Sequence, residues 1–154
     1  MGIQCRVSNP IIPFLSTVQN SRDHRKICVI DGKVAFTGGV NLADEYANEI
    51  TRFGHWKDTA IMLKGDAVQS FTMLFLEMWA VNQLEPADCQ NYLTPKHVVP
   101  DPPHGYVIPY GDHPYDNENV GEEVYFHILN HSKKYVHIMT PYLILDSEMI
   151  TTLT

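Results

Sequence analysis

Three side chains suited to phosphate chemistry are spaced so that they could meet at one point. His24 and Lys26 alternate along a predicted strand, so both lie on one face of it, and Asn41 follows a second predicted strand. A histidine can attack phosphorus at neutral pH and form a phosphohistidine. A lysine can hold the non-bridging oxygens and offset the charge that develops in the transition state. These residue types at this spacing indicate phosphodiester chemistry that uses no metal ion.

A hairpin must bring these side chains together. Asp31-Gly32 is typical of a two-residue turn, and residues 33–37 are predicted to return antiparallel to the strand that holds His24. That register places Gly38 and Gly39 opposite the histidine, where backbone N–H groups can approach an anion closely. The alternative is a half-exposed edge strand on which the histidine and the lysine only face water.

The pattern resembles the signature motif of the phospholipase D superfamily, which here consists of His24, Lys26, Asp31, Gly38, Gly39 and Asn41. Four surrounding segments are similar to the bacterial cardiolipin synthases, namely residues 9–14, 36–46, 55–59 and 140–146. The resemblance covers nearly the whole chain and is least clear through residues 84–104. It departs from the family at position 39, where many relatives have serine instead of glycine.

The resemblance implies a fold class and a role for each motif residue. The fold would be α/β (α+β), a phospholipase D-like mixed β-sheet flanked by helices, present here as an incomplete copy. His24 would be the nucleophile, and Asp31 belongs to the catalytic motif, although its Asp-Gly context already explains it as a turn residue. The residues expected to bind the substrate phosphate are Lys26, Gly38, Gly39 and Asn41.

The same resemblance implies a catalytic role for Asp58. In the family a carboxylate on a later strand hydrogen-bonds the far nitrogen of the nucleophilic histidine, and Asp58 occupies the matching position. On its predicted strand Asp58 would share a face with Trp56, Ala60 and Met62, so it would need a polar partner. A solvated aspartate at the end of a strand is the alternative.

Composition limits the class of partner. The chain has 154 residues, a net charge of −7 and an ordinary balance of 44% hydrophobic and 19% charged residues. The negative charge argues against a nucleic-acid partner, whose phosphates a protein must neutralise. Three cysteines at unrelated spacings give no disulfide framework. Cys89, His97 and His104 lack paired metal-ligand spacing, so no metal and no other cofactor are expected.

The order of predicted elements suggests one incomplete half followed by the beginning of another. Residues 1–83 would be part of the first phospholipase D-like half, 84–104 a proline-rich linker, and 105–154 the opening strands and helix of the second half. The predicted strands are Ile3–Val7, His55–Leu63, Tyr106–Tyr110 and Tyr135–Thr140. Helices are expected at 66–82, at 120–130 and from about 147, together with a short helical run at 42–46. Helical spacing makes Val68, Phe71, Phe75 and Met78 the predicted core of the first helix.

The same resemblance implies where a parent protein would be located and that this chain is only part of it. No apolar stretch is long enough to span a bilayer. The cardiolipin synthases have membrane helices ahead of the first catalytic half, so a parent protein is expected at the cytoplasmic side of the bacterial cell membrane, with this fragment itself soluble. The catalytic motif occurs once, so the second catalytic half would come from the parent. Tyr135–Thr140 is expected to fill a vacant sheet edge, within the chain or by strand exchange in a homodimer.

Three functions are compatible with the residues. The first is a phosphatidyltransferase that makes cardiolipin from two phosphatidylglycerol molecules through a phosphohistidine, with this chain as half of the active site. The second is a phospholipase D-type hydrolase or nuclease with the same intermediate and water as the acceptor. The third is a non-catalytic interaction module. The first is preferred, and the isolated fragment is expected to show little or no activity.

Overall fold

A computed structural model describes residues 2–7, 23–81, 89–93, 105–112, 118–140 and 142–154. The chain divides into two compact units, Met1–Pro109 and Tyr110–Thr154. The boundary between these units, after Pro109, lies within residues 105–154, which the sequence analysis assigned to the second half. Most of the predicted linker, 84–104, lies outside the described residues, but Cys89–Tyr92 forms a short 3₁₀ helix within it. The assignment of the two halves to one parent fold stays a prediction.

The first unit is built on a three-stranded antiparallel sheet. Its strands are β1 (Ile27–Ile30), β2 (Val34–Gly38) and β3 (Ala60–Lys64), in the order β1-β2-β3. Helix α1 (Ala67–Ala80) contacts all three strands. The predicted combination of sheet and helices is confirmed. All pairing among the described strands is antiparallel, so the mixed sheet expected above is not seen in this part of the chain.

The core lies between the sheet and α1. Ala35 and Val68 are fully buried and Phe71 is 8% exposed, and strand residues on the same face of the sheet pack against them: Ile27, Val29 and Leu63. The predicted helix positions Val68 and Phe71 therefore belong to the core. The prediction for Phe75 is wrong, because its ring is 47% exposed. The small core makes this one helix–sheet contact the main source of stability in the unit.

The hairpin between β1 and β2 differs by one residue from the two-residue turn predicted above. Asp31 and Gly32 both have positive φ angles, 53° and 63°, and the Lys33 N–H donates to the Ile30 carbonyl at 2.9 Å. Lys33 then lies outside the ladder, so Ile30 pairs with Val34. This extra residue shifts the register. The predicted position of the glycine pair directly opposite His24 is wrong, because the β1–β2 ladder begins only at Ile27.

Three predicted strands are absent from the described residues: Ile3–Val7, Tyr106–Tyr110 and Tyr135–Thr140. A strand exists only where a neighbouring segment completes its hydrogen-bond ladder, and none of the described segments pairs with them. Their apolar side chains are exposed to solvent; Ile3 and Ile108, for example, are each 80% exposed. Hydrophobic alternation alone therefore overpredicted strands in this chain. The helical run expected at 42–46 is likewise a series of turns.

The second unit consists of two helices in contact. Helix α2 (Val120–His131) matches the predicted helix within one residue, and α3 (Ser147–Leu153) begins where it was expected. The side chain of Asp146 accepts a hydrogen bond from the Met149 N–H at 2.7 Å and so caps α3. Neither helix has a buried residue. The stability of this unit therefore depends on caps and surface contacts more than on a core.

Replacing Val68 with alanine tests the core of the first unit. Val68→Ala removes about two methylene equivalents from a fully buried site, so the free energy of unfolding should fall by about 2 kcal/mol. Urea denaturation followed by circular dichroism measures the change. Val7→Ala, at a residue 76% exposed, is the matched control and should change stability little. Equal losses from both variants would contradict this account of the core.

Candidate active site

The His24 ring and the Lys26 ammonium are in contact immediately before β1. Lys26 Nζ lies 3.2 Å from His24 Nδ1 and donates to the His24 carbonyl oxygen at 2.7 Å. His24 is exposed and Lys26 is half-buried. The structure therefore brings together the two side chains that the sequence selected for attack and charge stabilisation, but it places both before β1, so the strand predicted to include them begins only at Ile27.

This contact determines which nitrogen of the histidine has the proton. An ammonium has three donors and no acceptor, so Nδ1 of His24 must accept from Lys26. A neutral ring with this hydrogen bond would have its proton on Nε2. A protonated nitrogen has no lone pair, so attack on phosphorus through Nε2 would require the other tautomer. An incoming phosphate that draws Lys26 away would release Nδ1.

The residues on either side of His24, Asp23 and Arg25, form an ion pair. Arg25 donates from Nε to one oxygen of Asp23 at 2.9 Å and from Nη2 to the other at 3.0 Å, and the Arg25 backbone N–H donates to Asp23 at 3.0 Å. Burial opposes ionisation of Asp23, but the hydrogen bonds and charge of Arg25 outweigh it and lower the pKa of this carboxyl. The pair fixes the backbone on both sides of the histidine. The sequence analysis assigned no role to Arg25.

Asp58 is held by its own loop. Its carboxylate accepts from the Thr59 N–H at 2.8 Å and from the Trp56 indole Nε1 at 3.2 Å. Among the described residues no hydrogen bond joins Asp58 to His24. Asp58 is exposed and precedes β3, which begins only at Ala60, so its predicted place on a strand face is wrong. A role for Asp58 in orienting His24 stays a prediction.

The two glycines of the motif allow the ends of β2 and β3 to approach closely. A Cβ atom on Gly38 would meet the Thr59 carbonyl and the Ala60 Cα, and one on Gly39 would overlap the carboxylate of Asp58. The Gly39 N–H donates to the Thr59 carbonyl at 3.2 Å. These glycines therefore bring Asp58 next to the motif. The Gly39 N–H is already engaged and is not free for an anion in this state.

The remaining motif residues are Asp31 and Asn41. Asp31 lies in the β1–β2 turn with φ of 53°, which agrees with its interpretation as a turn residue. Asn41 is half-buried, and its side-chain amide has no hydrogen-bond partner within the part of the chain that the structure describes. An amide in this position could donate to a phosphate oxygen. Whether Asn41 reaches the same phosphate as His24 stays a prediction.

A residue that sequence reasoning missed organises the loop between β2 and β3. Asn48, with φ of 62°, accepts from the Trp56 N–H at 2.6 Å and donates to the Trp56 carbonyl at 2.9 Å. The Trp56 ring packs edge-on against Tyr46, with ring centroids 5.0 Å apart, and also contacts Phe53. Asn48 thus fixes the tryptophan that binds Asp58. The sequence signal was an asparagine able to adopt a left-handed conformation in a long loop.

Comparison with known proteins places this site in a family context. The chain is 59% identical over 151 residues to an uncharacterized protein of Streptococcus mutans, covering 97% of this chain and 32% of that protein. It is 34% identical over 153 residues to the cardiolipin synthase of Geobacillus kaustophilus, covering 99% of this chain and 30% of that enzyme. It is 37% identical over 141 residues to cardiolipin synthase 2 of Bacillus cereus, covering 92% of this chain and 27% of that enzyme. The resemblance to bacterial cardiolipin synthases is confirmed.

These relatives are much longer than this chain. It spans about a third of the length of the curated relatives it matches. No family model and no solved structure matches it. None of the helices in the described residues is both long and apolar enough to cross a membrane.

The tautomer of His24 provides a direct test of the contact with Lys26. Replacing the lysine by methionine, Lys26→Met, removes the donor to Nδ1, so the fraction of ring protonated at Nε2 should fall. Ring ¹⁵N chemical shifts measure this fraction. Lys33→Met, at the exposed turn, is the matched control and should leave the His24 signals unchanged. Identical His24 signals in all three proteins would contradict the proposed hydrogen bond.

A methyl group at position 39 should displace Asp58 without unfolding the protein. In Gly39→Ala the new Cβ overlaps the Asp58 carboxylate, which is the movable end of a side chain, so the Trp56–Asp58 hydrogen bond should be lost. The indole N–H resonance of Trp56 should shift. Gly105→Ala is the control, because a Cβ there meets nothing within 4 Å. An unmoved Trp56 signal in Gly39→Ala would show that the glycine is not required for this contact.

Proposed function

We propose that this chain contributes the nucleophilic half of a phosphatidyltransferase active site that makes cardiolipin from two phosphatidylglycerol molecules. The contact between the His24 ring and the Lys26 ammonium supports this proposal most strongly. It pairs a nucleophile with a cation that can bind phosphate, at the motif that the cardiolipin synthases share. The similarity to those enzymes along 92–99% of the chain supports the choice of lipid chemistry.

The first chemical step is a displacement at phosphorus. The phosphate of phosphatidylglycerol draws Lys26 away from His24, and the ring changes tautomer by losing the Nε2 proton to water and taking one from water at Nδ1. The Nδ1–H then donates a hydrogen bond to a carboxylate, for which Asp58 is the candidate. The Nε2 lone pair then attacks phosphorus, a P–N bond forms, and the P–O bond to glycerol breaks. The glycerol oxygen takes a proton from a general acid as it leaves. Lys26 and the Asn41 amide stabilise the charge on the phosphoryl oxygens.

The second step transfers the phosphatidyl group. A hydroxyl of a second phosphatidylglycerol attacks the phosphohistidine, its proton passes to a base, and the P–N bond breaks as the new P–O bond forms. The motif occurs once in this sequence, so the acid and base would come from a second motif elsewhere in a longer protein. The chain alone should therefore turn over little or no substrate. Membrane attachment at the cytoplasmic side, through helices outside this chain, is part of the same proposal.

Hydrolysis is the main competing chemistry. Water in place of the second lipid would give phosphatidic acid from the same intermediate. Nucleic acid is disfavoured as a substrate because the chain has a net charge of −7. A non-catalytic module would form no intermediate at all. Trapping a phosphohistidine separates the two enzymatic functions from the non-catalytic module, and product analysis with lipid substrate in a complete enzyme separates transfer from hydrolysis.

A segment exchange tests the proposed function in a complete enzyme. The 153 matched residues of the Geobacillus kaustophilus cardiolipin synthase would be replaced by this chain, and cardiolipin and phosphatidic acid would be measured from phosphatidylglycerol. The hybrid should form cardiolipin. His24→Asn should lower the rate about a thousandfold or more, because an amide cannot form the intermediate. A folded hybrid that forms no product, or a His24→Asn hybrid that retains full activity, would contradict the proposal.

Two further substitutions in the same hybrid separate charge stabilisation from orientation. Lys26→Ala should lower the rate about a hundredfold or more through lost stabilisation of the phosphoryl oxygens. Lys33→Ala is its matched control and should retain full activity. Asp58→Asn should have an intermediate effect, because it acts only through the orientation of His24. A chelator should not change the rate, and a metal requirement would count against the mechanism.

Self-association is a separate part of the proposal. The described sheet ends in β1 and β3, and a free strand edge is a template for pairing with another chain. An extended segment of a second copy, with 135–140 as the candidate, could add to that edge and form a strand-exchanged homodimer. Analytical ultracentrifugation of the 154-residue chain would reveal a dimer, and Ile138→Pro should weaken it because proline cannot complete a ladder. A monomer at all concentrations would exclude strand exchange.

A further inference from the structure

Two histidines lie one turn apart near the C-terminal end of α2. His127 and His131 are four residues apart, so the helix places them on the same face. Their rings are stacked, with centroids 4.1 Å apart and planes inclined by 24°. Both side chains are exposed. The proposed catalytic chemistry uses neither of them, and the sequence search for metal ligands considered only the linker.

The hydrogen bonding of His131 leaves one ring nitrogen ready to bind a ligand. Nδ1 lies 2.9 Å from the His127 carbonyl oxygen, which can only accept, so Nδ1 has the proton. When the ring is neutral, its lone pair is therefore on Nε2. Metal-binding histidines characteristically donate their second nitrogen to a carbonyl or a carboxylate in this way, because it fixes the tautomer and the ring orientation. This hydrogen bond exists here without a metal ion.

The spacing of the rings suits a borderline divalent ion. Zn²⁺ binds imidazole nitrogen at about 2.0–2.1 Å, so two nitrogens on a tetrahedral ion lie about 3.4 Å apart. The rings have centroids 4.1 Å apart and planes inclined by 24°, so the side chains must rotate for both Nε2 lone pairs to point at one ion. Histidines at positions i and i+4 of a helix are a recurrent zinc-binding arrangement. Cu²⁺ favours the same ligands, whereas Mg²⁺ and Ca²⁺ prefer oxygen.

The second unit is acidic overall, and its two basic residues, Lys133 and Lys134, follow His131. Residues 110–154 contain seven acidic and two basic side chains, a net charge of −5 within the chain total of −7. Glu123 lies one turn before His127, and both line one groove of α2. No three potential ligands in the described residues already surround a single point. The two imidazoles would therefore provide the fixed ligands, with water or the Glu123 carboxylate at the remaining positions.

We propose that His127 and His131 form a binding site for a divalent transition-metal ion, Zn²⁺ or Cu²⁺, on the surface of α2. The ion bridges two successive turns of the helix at its C-terminal end, where helices fray most readily. Binding should therefore make the last turn of α2 more rigid. The site lies in the second unit and is independent of the phosphatidyl transfer proposed for His24.

Titration of the 154-residue chain with ZnCl₂, and separately with CuCl₂, tests the site. Isothermal calorimetry should give one ion per chain, and the Nε2 resonances of both histidines should shift together in ring ¹⁵N spectra. His127→Ala and His131→Ala should each reduce the affinity at least tenfold. His137→Ala is the control, because His137 lies outside α2 in the same unit and its ring stacks on Tyr135 with centroids 4.8 Å apart.

Each outcome decides the proposal. Loss of binding in the two α2 variants together with unchanged binding in His137→Ala supports it. Equal loss in all three variants would indicate only adventitious binding by surface histidines. No binding, or an Nε2 shift at one histidine alone, would overturn the two-histidine site. Circular dichroism of each variant shows whether α2 is still formed, so a folding defect is not mistaken for a lost ligand.

Discussion

The close approach of the C-terminal end of β2 to the start of β3 is the constraint on which the candidate site depends. It requires glycine at position 38, because a Cβ atom there would overlap the backbone of residues 59 and 60, whereas a Cβ atom at position 39 would overlap only the movable Asp58 carboxylate. The contact closes the long loop 39–59 at its base. Asn48 and Trp56 then hold the Asp58 carboxylate beside the motif. A short glycine pair, a loop asparagine and an indole thus work together to place one carboxylate.

The second feature of the site is the contact between the Lys26 ammonium and Nδ1 of His24, the proposed nucleophile. In the proposed mechanism a phosphate competes for the same ammonium, so substrate binding and activation of the histidine would be a single event. The ion pair between Asp23 and Arg25 links the residues on either side of the histidine. Such coupling would limit reaction of the histidine in the absence of a phosphate.

Local patterns were predicted better than long-range pairing. Helical spacing correctly selected Val68 and Phe71 for the core. The register of the hairpin was wrong by one residue, because an Asp-Gly turn does not reveal whether the next residue joins the ladder. Strand predictions at residues 3–7 and 135–140 failed, because pairing depends on a neighbour that no local pattern specifies. The role of Asn48 required the path of the loop, which follows from tertiary packing.

The central claim is that His24 becomes covalently attached to the substrate phosphorus. Rapid acid-free quenching of the chain or of a hybrid enzyme with phosphatidylglycerol, followed by mass spectrometry of its peptides, measures this directly. The account predicts a phosphatidyl adduct on the peptide containing His24, stable in base, labile in acid and absent from His24→Asn. An adduct on another residue, or product formation with no adduct on His24 under conditions that preserve phosphohistidine, would contradict it.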